Sequence, residues 1–388
     1  MSKYFYDCGY TSLNHVGETL CGDKVEIIRS ENACTMVLAD GLGSGVKANI
    51  LATLTSKILG TMLSEGVSIE ECVDTIMYTL PVCKVRNIAY STFSIVQIVG
   101  SKAILIQYDN PKTKVFRKGE LLDYTYSSRI ILNKKVYESE IDLEPGDAIF
   151  MYSDGVIHAG VGKFFNFGWE MTEVVKHTEI FYKDYYTAKS LSMLVADACN
   201  DLYDSKPGDD TTVGVVKFKE YSETSLMIGP PVDTSFDNEM VMKFLSYPGY
   251  KIVSGGTTSQ VVSKYLKTDI ITNLEYFKKD IPPTAKMKGI DLVTEGSLTL
   301  FKVVSILNKI NKKDCLDYTF ADDNDGASLL VRFLLEKAST IHLIVGRALN
   351  PAHQKFDFPI NFNSKLELVN ALKEELIKFG RTVTIDYF

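Results

Sequence analysis

At 388 residues, with 45% hydrophobic and 23% charged side chains, the chain exceeds what one domain ordinarily needs and has the apolar content for two cores, which excludes a disordered chain. Its net charge is −7, yet residues 221–388 balance 20 basic against 20 acidic side chains. The acid excess therefore lies in the first 220 residues, and a nucleic-acid footprint is absent. No apolar run reaches membrane-spanning length and the polar start Met1-Ser-Lys-Tyr-Phe-Tyr-Asp7 is not a signal peptide, so a cytoplasmic protein with no membrane partner is expected.

Residues 1–33 read as short strands and turns, with Gly22-Asp23 ahead of the alternating segment Lys24-Val-Glu-Ile-Ile28. Asp23 is a candidate metal ligand, although a turn is the ordinary place for such an aspartate. The run Met36-Val-Leu-Ala-Asp-Gly-Leu-Gly-Ser-Gly45 has the apolar character of a buried strand and delivers Asp40 into a turn whose glycines, 41, 43 and 45, carry little steric cost. Residues 46–65 then read as a helix, with Val46, Ile50, Leu51, Leu54, Ile58, Leu59 and Met62 at helical spacing. A second helix over 68–80 takes Ser68 as N-cap, Glu70 and Glu71 in its first turn and Pro81 as its stop. Residues 89–107 alternate as a hairpin about Gly100-Ser-Lys102, and strands follow near 113–116 and 129–132.

A Pro-Gly turn in Leu143-Glu-Pro-Gly-Asp-Ala-Ile-Phe-Met-Tyr-Ser-Asp-Gly-Val156 leads a short apolar strand to Asp154-Gly155, repeating the arrangement at Asp40. Phe164, Phe165, Phe167 and Trp169 form an aromatic insertion expected to pack against the core, and 187–200 reads as a helix. Pro207-Gly-Asp-Asp-Thr-Thr-Val-Gly-Val-Val-Lys-Phe218 sets Asp209 and Asp210 before a β-branched strand. One such aspartate would be a turn residue; three sites at the mouths of apolar strands point to a centre. Magnesium and manganese prefer oxygen ligands, and two such ions about 3.5–4 Å apart suit in-line attack on phosphorus. His158, four residues after Asp154, is read as an outer or surface histidine rather than a general acid. The seven cysteines, at 8, 21, 34, 72, 83, 199 and 315, form no Cys-x-x-Cys pair and are read as reduced thiols, Cys34 and Cys199 acting as small hydrophobes.

Ala39-Asp-Gly-Leu-Gly-Ser-Gly45 with Lys47-Ala-Asn49, Cys21-Gly-Asp23, Ser153-Asp-Gly155 and Asp209-Asp-Thr-Thr212 resemble the motifs of metal-dependent serine/threonine protein phosphatases of the PPM type. The branch they resemble is the bacterial sporulation-phosphatase-like one, which includes the stressosome feedback phosphatases, over residues 8–218. The resemblance implies a β-sandwich flanked by helices in α-β-β-α layers, within an α+β chain. It implies two divalent cations, Mn2+ or Mg2+, with Asp40 bridging both, the Gly41 carbonyl as a further ligand, and Asp154 and Asp209 completing the shell. Asp23 would act mainly through water, and Asp210 stands where many relatives have Asn. Asp40, Asp154 and Asp209 are thereby the catalytic set for hydrolysis of phosphoserine or phosphothreonine by a water activated between two metals, without a covalent enzyme intermediate. The implied substrate is a phosphorylated regulatory protein of the STAS-like or anti-sigma-antagonist kind, and a second copy of the chain is a further partner to consider. The alternative is a phosphatase-like scaffold that binds a ligand or partner without turnover.

Residues 1–218 thus form the expected phosphatase domain, 219–223 a linker, and 224–388 a smaller α/β domain. There, helices over 236–245, 255–267, 297–309, 327–338 and 366–379 alternate with strands over 251–254, 290–294, 340–345 and 382–387, the pattern of a mostly parallel sheet. Ligands in such sheets bind beyond the carboxyl ends of the strands. Gly255, Gly256, Thr257 and Thr258 are a candidate anion turn, equally a packing or capping device, and Glu295, Arg347, Asn350 and His353 are candidates to complete a pocket. A small-molecule sensor and a docking module for the substrate protein both remain open.

Overall fold

The computed structural model describes residues 3–79, 82–83, 88–89, 91–131, 134–273, 284–312, 316–318, 323–348 and 365–388. It divides into two compact units, one built on residues up to Glu220, the other on residues from Tyr221 onward, with 316–318 grouped with the first.

In the first unit the chain runs β1 (Tyr4–Leu13), β2 (Asp23–Arg29), β3 (Ala33–Gly41), α1 (Gly45–Ser64), α2 (Ile69–Thr79), the two-residue strands β4 (Val82–Cys83) and β5 (Ile88–Ala89), β6 (Ser91–Val99) and β7 (Lys102–Tyr108). It continues through β8 (Lys114–Arg117), β9 (Glu120–Leu122), β10 (Ser127–Ile131), β11 (Lys134–Asp142), β12 (Ala148–Tyr152), α3 (Asp154–His158), α4 (Met171–Phe181), α5 (Ala188–Leu202) and β13 (Thr211–Glu220). A five-stranded sheet of order β1-β13-β12-β8-β9 faces a six-stranded sheet of order β10-β11-β7-β6-β3-β2. Alternation along the strands sends Met36, Leu38, Val96 and Ile98 from one sheet and Tyr6, Ile149, Met151, Val216 and Phe218 from the other into a shared core. The opposite side chains of the six-stranded sheet, Val37, Phe93, Ile95 and Ile106, pack with Leu59, Leu63, Cys72, Val73 and Ile76 of α1 and α2. On the other sheet α5 lies against β1 and β13 and is joined by α4, so four layers result.

The apolar stripe expected on α1 divides. Ala48, Ala52, Thr55, Ser56 and Gly60 are buried with Leu59 and Leu63, whereas Val46, Ile50 and Leu54 face solvent. Small side chains let the helix lie close to β3, and a Cβ on Gly41 would sit 2.1 Å from the Ala48 carbonyl oxygen. The aromatic insertion is also corrected: Trp169 is buried, but Phe164, Phe165 and Phe167 are exposed. At the start of α2, the Ser68 hydroxyl accepts from the Glu71 amide at 3.3 Å.

β13 continues to Glu220 and the next strand begins at Glu223, so most of the expected linker is strand. The second unit comprises β14 (Glu223–Ile228), α6 (Asp237–Ser246), β15 (Tyr250–Ser254), α7 (Gly256–Leu266), β16 (Ile271–Asn273), β17 (Thr284–Met287), β18 (Ile290–Thr294), α8 (Ser297–Asn311), α9 (Gly326–Arg332), β19 (Thr340–Val345), α10 (Lys365–Lys378) and β20 (Thr382–Tyr387). Its sheet has the order β16-β17-β18-β15-β14-β19-β20. The five strands from β18 to β20 are parallel, and β17 and β16 extend the edge antiparallel. Helices α6 and α7 pack on Met227, Val253, Val293 and Ile344, burying one face of the sheet. Among the described residues no helix is long and apolar enough to cross a membrane.

Candidate metal centre

The centre begins with a register. β2 and β3 pair antiparallel with Asp23 opposite Asp40, so two carboxylates share one rung at the end of the ladder. The Gly41 amide donates to the Gly22 carbonyl at 3.2 Å and the Ser91 hydroxyl donates to the Asp40 carbonyl at 2.8 Å, which holds the turn after β3. Gly43 and Gly45 take positive φ there, as the glycine spacing anticipates.

The opposite sheet supplies the rest. Asp154 opens the short helix α3, with Ser153 before it. Ser153 is locked to β13: its amide donates to the Thr212 carbonyl at 3.0 Å and its Oγ accepts from the Thr212 amide at 2.8 Å. The Tyr203 hydroxyl donates to the Gly155 carbonyl at 2.7 Å and steadies the same turn from the end of α5. Asp209 and Asp210 precede β13; the Asp210 amide donates to Asp209 Oδ1 at 2.9 Å, and the His15 amide donates to Asp210 Oδ1 at 3.0 Å.

The electrostatics follow from this crowding. Asp23 is 3% exposed and neither carboxylate oxygen has a hydrogen-bond partner. The Ser153 and Thr212 hydroxyls face it and hold it down somewhat, but Thr212 Oγ1 donates to Ser12 instead. Burial, with Asp210 and Asp154 adding repulsion, nevertheless lifts the Asp23 carboxyl to about 7. Asp40 is pushed up to about 10, by burial first and then by Asp23, Asp154 and Asp209. Asp209 is raised by burial and by Asp154. Asp210 Oδ2 is a further buried oxygen without a partner. Buried carboxylates with unpaired oxygens that repel one another fit bound cations, which supply both the opposite charge and the missing partners. The donor set is all oxygen apart from one imidazole, which suits Mg2+ or Mn2+.

From the sequence, His158 is an outer or surface histidine. It is exposed, yet a ligand atom of His158 lies within 4.8 Å of ligand atoms of Asp154 and Asp209. The signal was the four-residue spacing from Asp154, which becomes one helix face only if Asp154-Gly-Val-Ile-His158 is helical.

In the second unit Gly255 precedes α7 at φ 117°, and a Cβ on Gly296, which precedes α8, would lie 3.4 Å from the Gly255 Cα. Gly255, Gly256, Thr257 and Thr258 are thus brought beside Glu295, whose Oε2 is buried without a partner. Arg347 is not brought to them: it follows β19, two strands from β15, and its guanidinium stacks 4.9 Å from the Tyr387 ring centre. Asn350 and His353 lie outside the described residues.

Residues 30–219 match the family model described as Stage II sporulation protein E (SpoIIE). No curated protein matches the chain significantly. Among solved structures, the PP2C phosphatase domain with a fragment of the regulatory domain of SpoIIE from Bacillus subtilis is 19% identical, with a TM-score of 0.49, over 57% of this chain and 65% of that one. The RsbU and RsbW domains of a Mycobacterium tuberculosis protein are 16% identical, with a TM-score of 0.43, over 55% and 60% of the two chains. RsbX in complex with magnesium is 17% identical, with a TM-score of 0.40, over 56% and 98%. The chain therefore spans less than two thirds of the length of the first two.

Proposed function

We propose, from the match of residues 30–219 to the SpoIIE family model, that these residues form a PP2C-like phosphatase domain and that the protein is a metal-dependent hydrolase of phosphoserine or phosphothreonine on a regulatory protein. The observation that carries this reading is the rung Asp23–Asp40, crowded by Asp154 and Asp209, in which both oxygens of the buried Asp23 lack a hydrogen-bond partner. Asp40, the Gly41 carbonyl, Asp154 and Asp209 would hold two divalent cations, Asp23 would act from the outer side of the cluster, and His158 can add an imidazole. Cations bound there supply positive charge for the phosphoryl oxygens and acidity for an attacking water.

The chain's own residues provide the placement. Asp40 and Asp23 come from a two-strand ladder, Asp154 from a helix start tied to β13, and Asp209 from the loop entering that strand, so each carboxylate is fixed by backbone hydrogen bonds rather than by a mobile loop. In this reading no cysteine or histidine need act as a nucleophile, and the substrate is a phosphorylated protein of the STAS-like or anti-sigma-antagonist kind. The second unit is read as a regulatory module, supported by the junction of two helix starts at Gly255 and Gly296 on neighbouring parallel strands. Asp40→Asn and Asp154→Asn should each abolish Mn2+-dependent turnover of p-nitrophenyl phosphate while leaving the circular dichroism spectrum intact. Undiminished turnover in either folded variant would overturn the assignment.

A further inference from the structure

The opposite end of β3 from Asp40 holds a pair of thiols that hydrolysis does not use. Cys8, on the edge strand β1 of the five-stranded sheet, and Cys34, on β3 of the six-stranded sheet, meet inside the sandwich with their sulfurs 3.4 Å apart. Both belong to the core that includes Tyr6, Val25, Met36 and Phe218. Packing alone asks only for two small apolar side chains there. A third group makes the place different. Arg29, on the edge strand β2, is the cross-strand partner of Cys34, and its positive charge acts on Cys8. The Cys34 thiol and the Arg29 cation hold Cys8 below the ordinary thiol range, while Cys34 is pushed up by the same hydrogen bond and by burial. Of the two sulfurs, Cys8 is the one its surroundings favour as the nucleophile.

We propose that Cys8 and Cys34 are a reversible oxidation site at which a hydroperoxide drives formation of a disulfide that ties the two sheets together. The Cys8 thiolate attacks the O–O bond; its sulfur gains one oxygen as a sulfenic acid, and the other oxygen leaves as water or an alcohol. The Cys34 sulfur then attacks the Cys8 sulfur, the S–S bond forms, and the sulfenic oxygen departs as water with the Cys34 proton. Two thiols are oxidised and one hydroperoxide is reduced. The sulfurs must approach from 3.4 Å to about 2.05 Å, a movement that side-chain torsions and a small shift of the edge strand β1 provide. The link closes a loop containing β2 and Asp23, and a dithiol reopens it by exchange. This inference is independent of the hydrolytic reading.

The full chain, folded and reduced, is treated with a small excess of hydrogen peroxide, blocked with N-ethylmaleimide in denaturant and digested without reduction for mass spectrometry. The expected result is a cross-linked peptide joining Cys8 to Cys34, a loss of about 2 Da, a fall in blockable thiols from seven to five, and full reversal by dithiothreitol. In Cys34→Ser the Cys8 sulfenic acid should persist and be captured by dimedone; if that variant does not fold, the wild-type cross-link map decides. Both thiols still blockable after other cysteines of the chain have oxidised would overturn the proposal, as would their conversion only to sulfinic or sulfonic acids.

Discussion

Replacing Asp23 by Asn should stabilise the first unit at pH 8 when divalent cations are chelated. The Asp23 carboxyl is 3% exposed with both oxygens unpartnered, and burial leads the causes that carry it from 3.8 to about 7. A carboxyl raised in the folded state contributes stability that is whole below its unfolded value and is lost as pH rises through its folded value. Between about pH 4 and pH 7 the chelated protein therefore loses on the order of 4 kcal/mol through this group, at about 1.4 kcal/mol per pH unit. Asn removes that loss but buries an amide short of partners, at about 1–3 kcal/mol. The net gain at pH 8 is on the order of 2 kcal/mol, and at pH 4 the sign reverses because only the amide penalty remains. Trp169 is the sole tryptophan and is buried against His177, so its fluorescence reports the first unit selectively. With a urea slope of about 2 kcal/mol/M, the midpoint in EDTA should rise by about 1 M at pH 8. Added Mg2+ or Mn2+ should stabilise the variant less than the wild type. A variant midpoint at pH 8 equal to or below that of the wild type, with parallel pH profiles, would refute the reasoning that burial beside other carboxylates raises the Asp23 carboxyl when no cation is bound.

Gly41→Ala should cost about 2–3 kcal/mol by urea unfolding, because its Cβ would meet the Ala48 carbonyl at 2.1 Å and force α1 off β3; an effect under about 0.5 kcal/mol would deny the close approach. His158→Ala should raise the Mn2+ concentration for half-maximal activity about tenfold while leaving the fold unchanged, and an unchanged Mn2+ requirement with loss of the alkaline limb of the pH–rate profile would make it a proton donor instead. Asp147→Ala removes a buried carboxylate that accepts from Arg117 Nε at 2.9 Å, from Arg117 Nη2 at 2.8 Å and from the Glu144 amide at 2.8 Å. Its cost should be about 2–4 kcal/mol, read by the same tryptophan signal.

Local pattern carried the sequence reading furthest where it is strong. The helices of α1, α2, α5, α8 and α10 and the strands that lead to Asp40 and, through Tyr152, towards Asp154 were legible because apolar periodicity and turn residues act within a few positions of one another. The strand β14 escaped because Glu223-Thr-Ser225 looks like surface, whereas the central place in a parallel sheet buries Thr224 and Ser225 completely. The exposed row Val46, Ile50 and Leu54 was likewise undetermined, since helical spacing says which residues share a face and not which face meets the sheet.

Asp23, Asp40, Asp154 and Asp209 could be named from the sequence, because an aspartate at the mouth of an apolar strand, next to glycine, is a local signature. Their meeting was decided only by the tertiary structure. Asp23 reaches Asp40 through a strand register, Asp154 and Asp209 arrive from the other sheet, and the carboxyls of Asp23, Asp40 and Asp209 are raised because the fold buries them beside one another. The contact of Cys8 with Cys34 has the same origin, since two strands in different sheets carry no common period that a sequence could display.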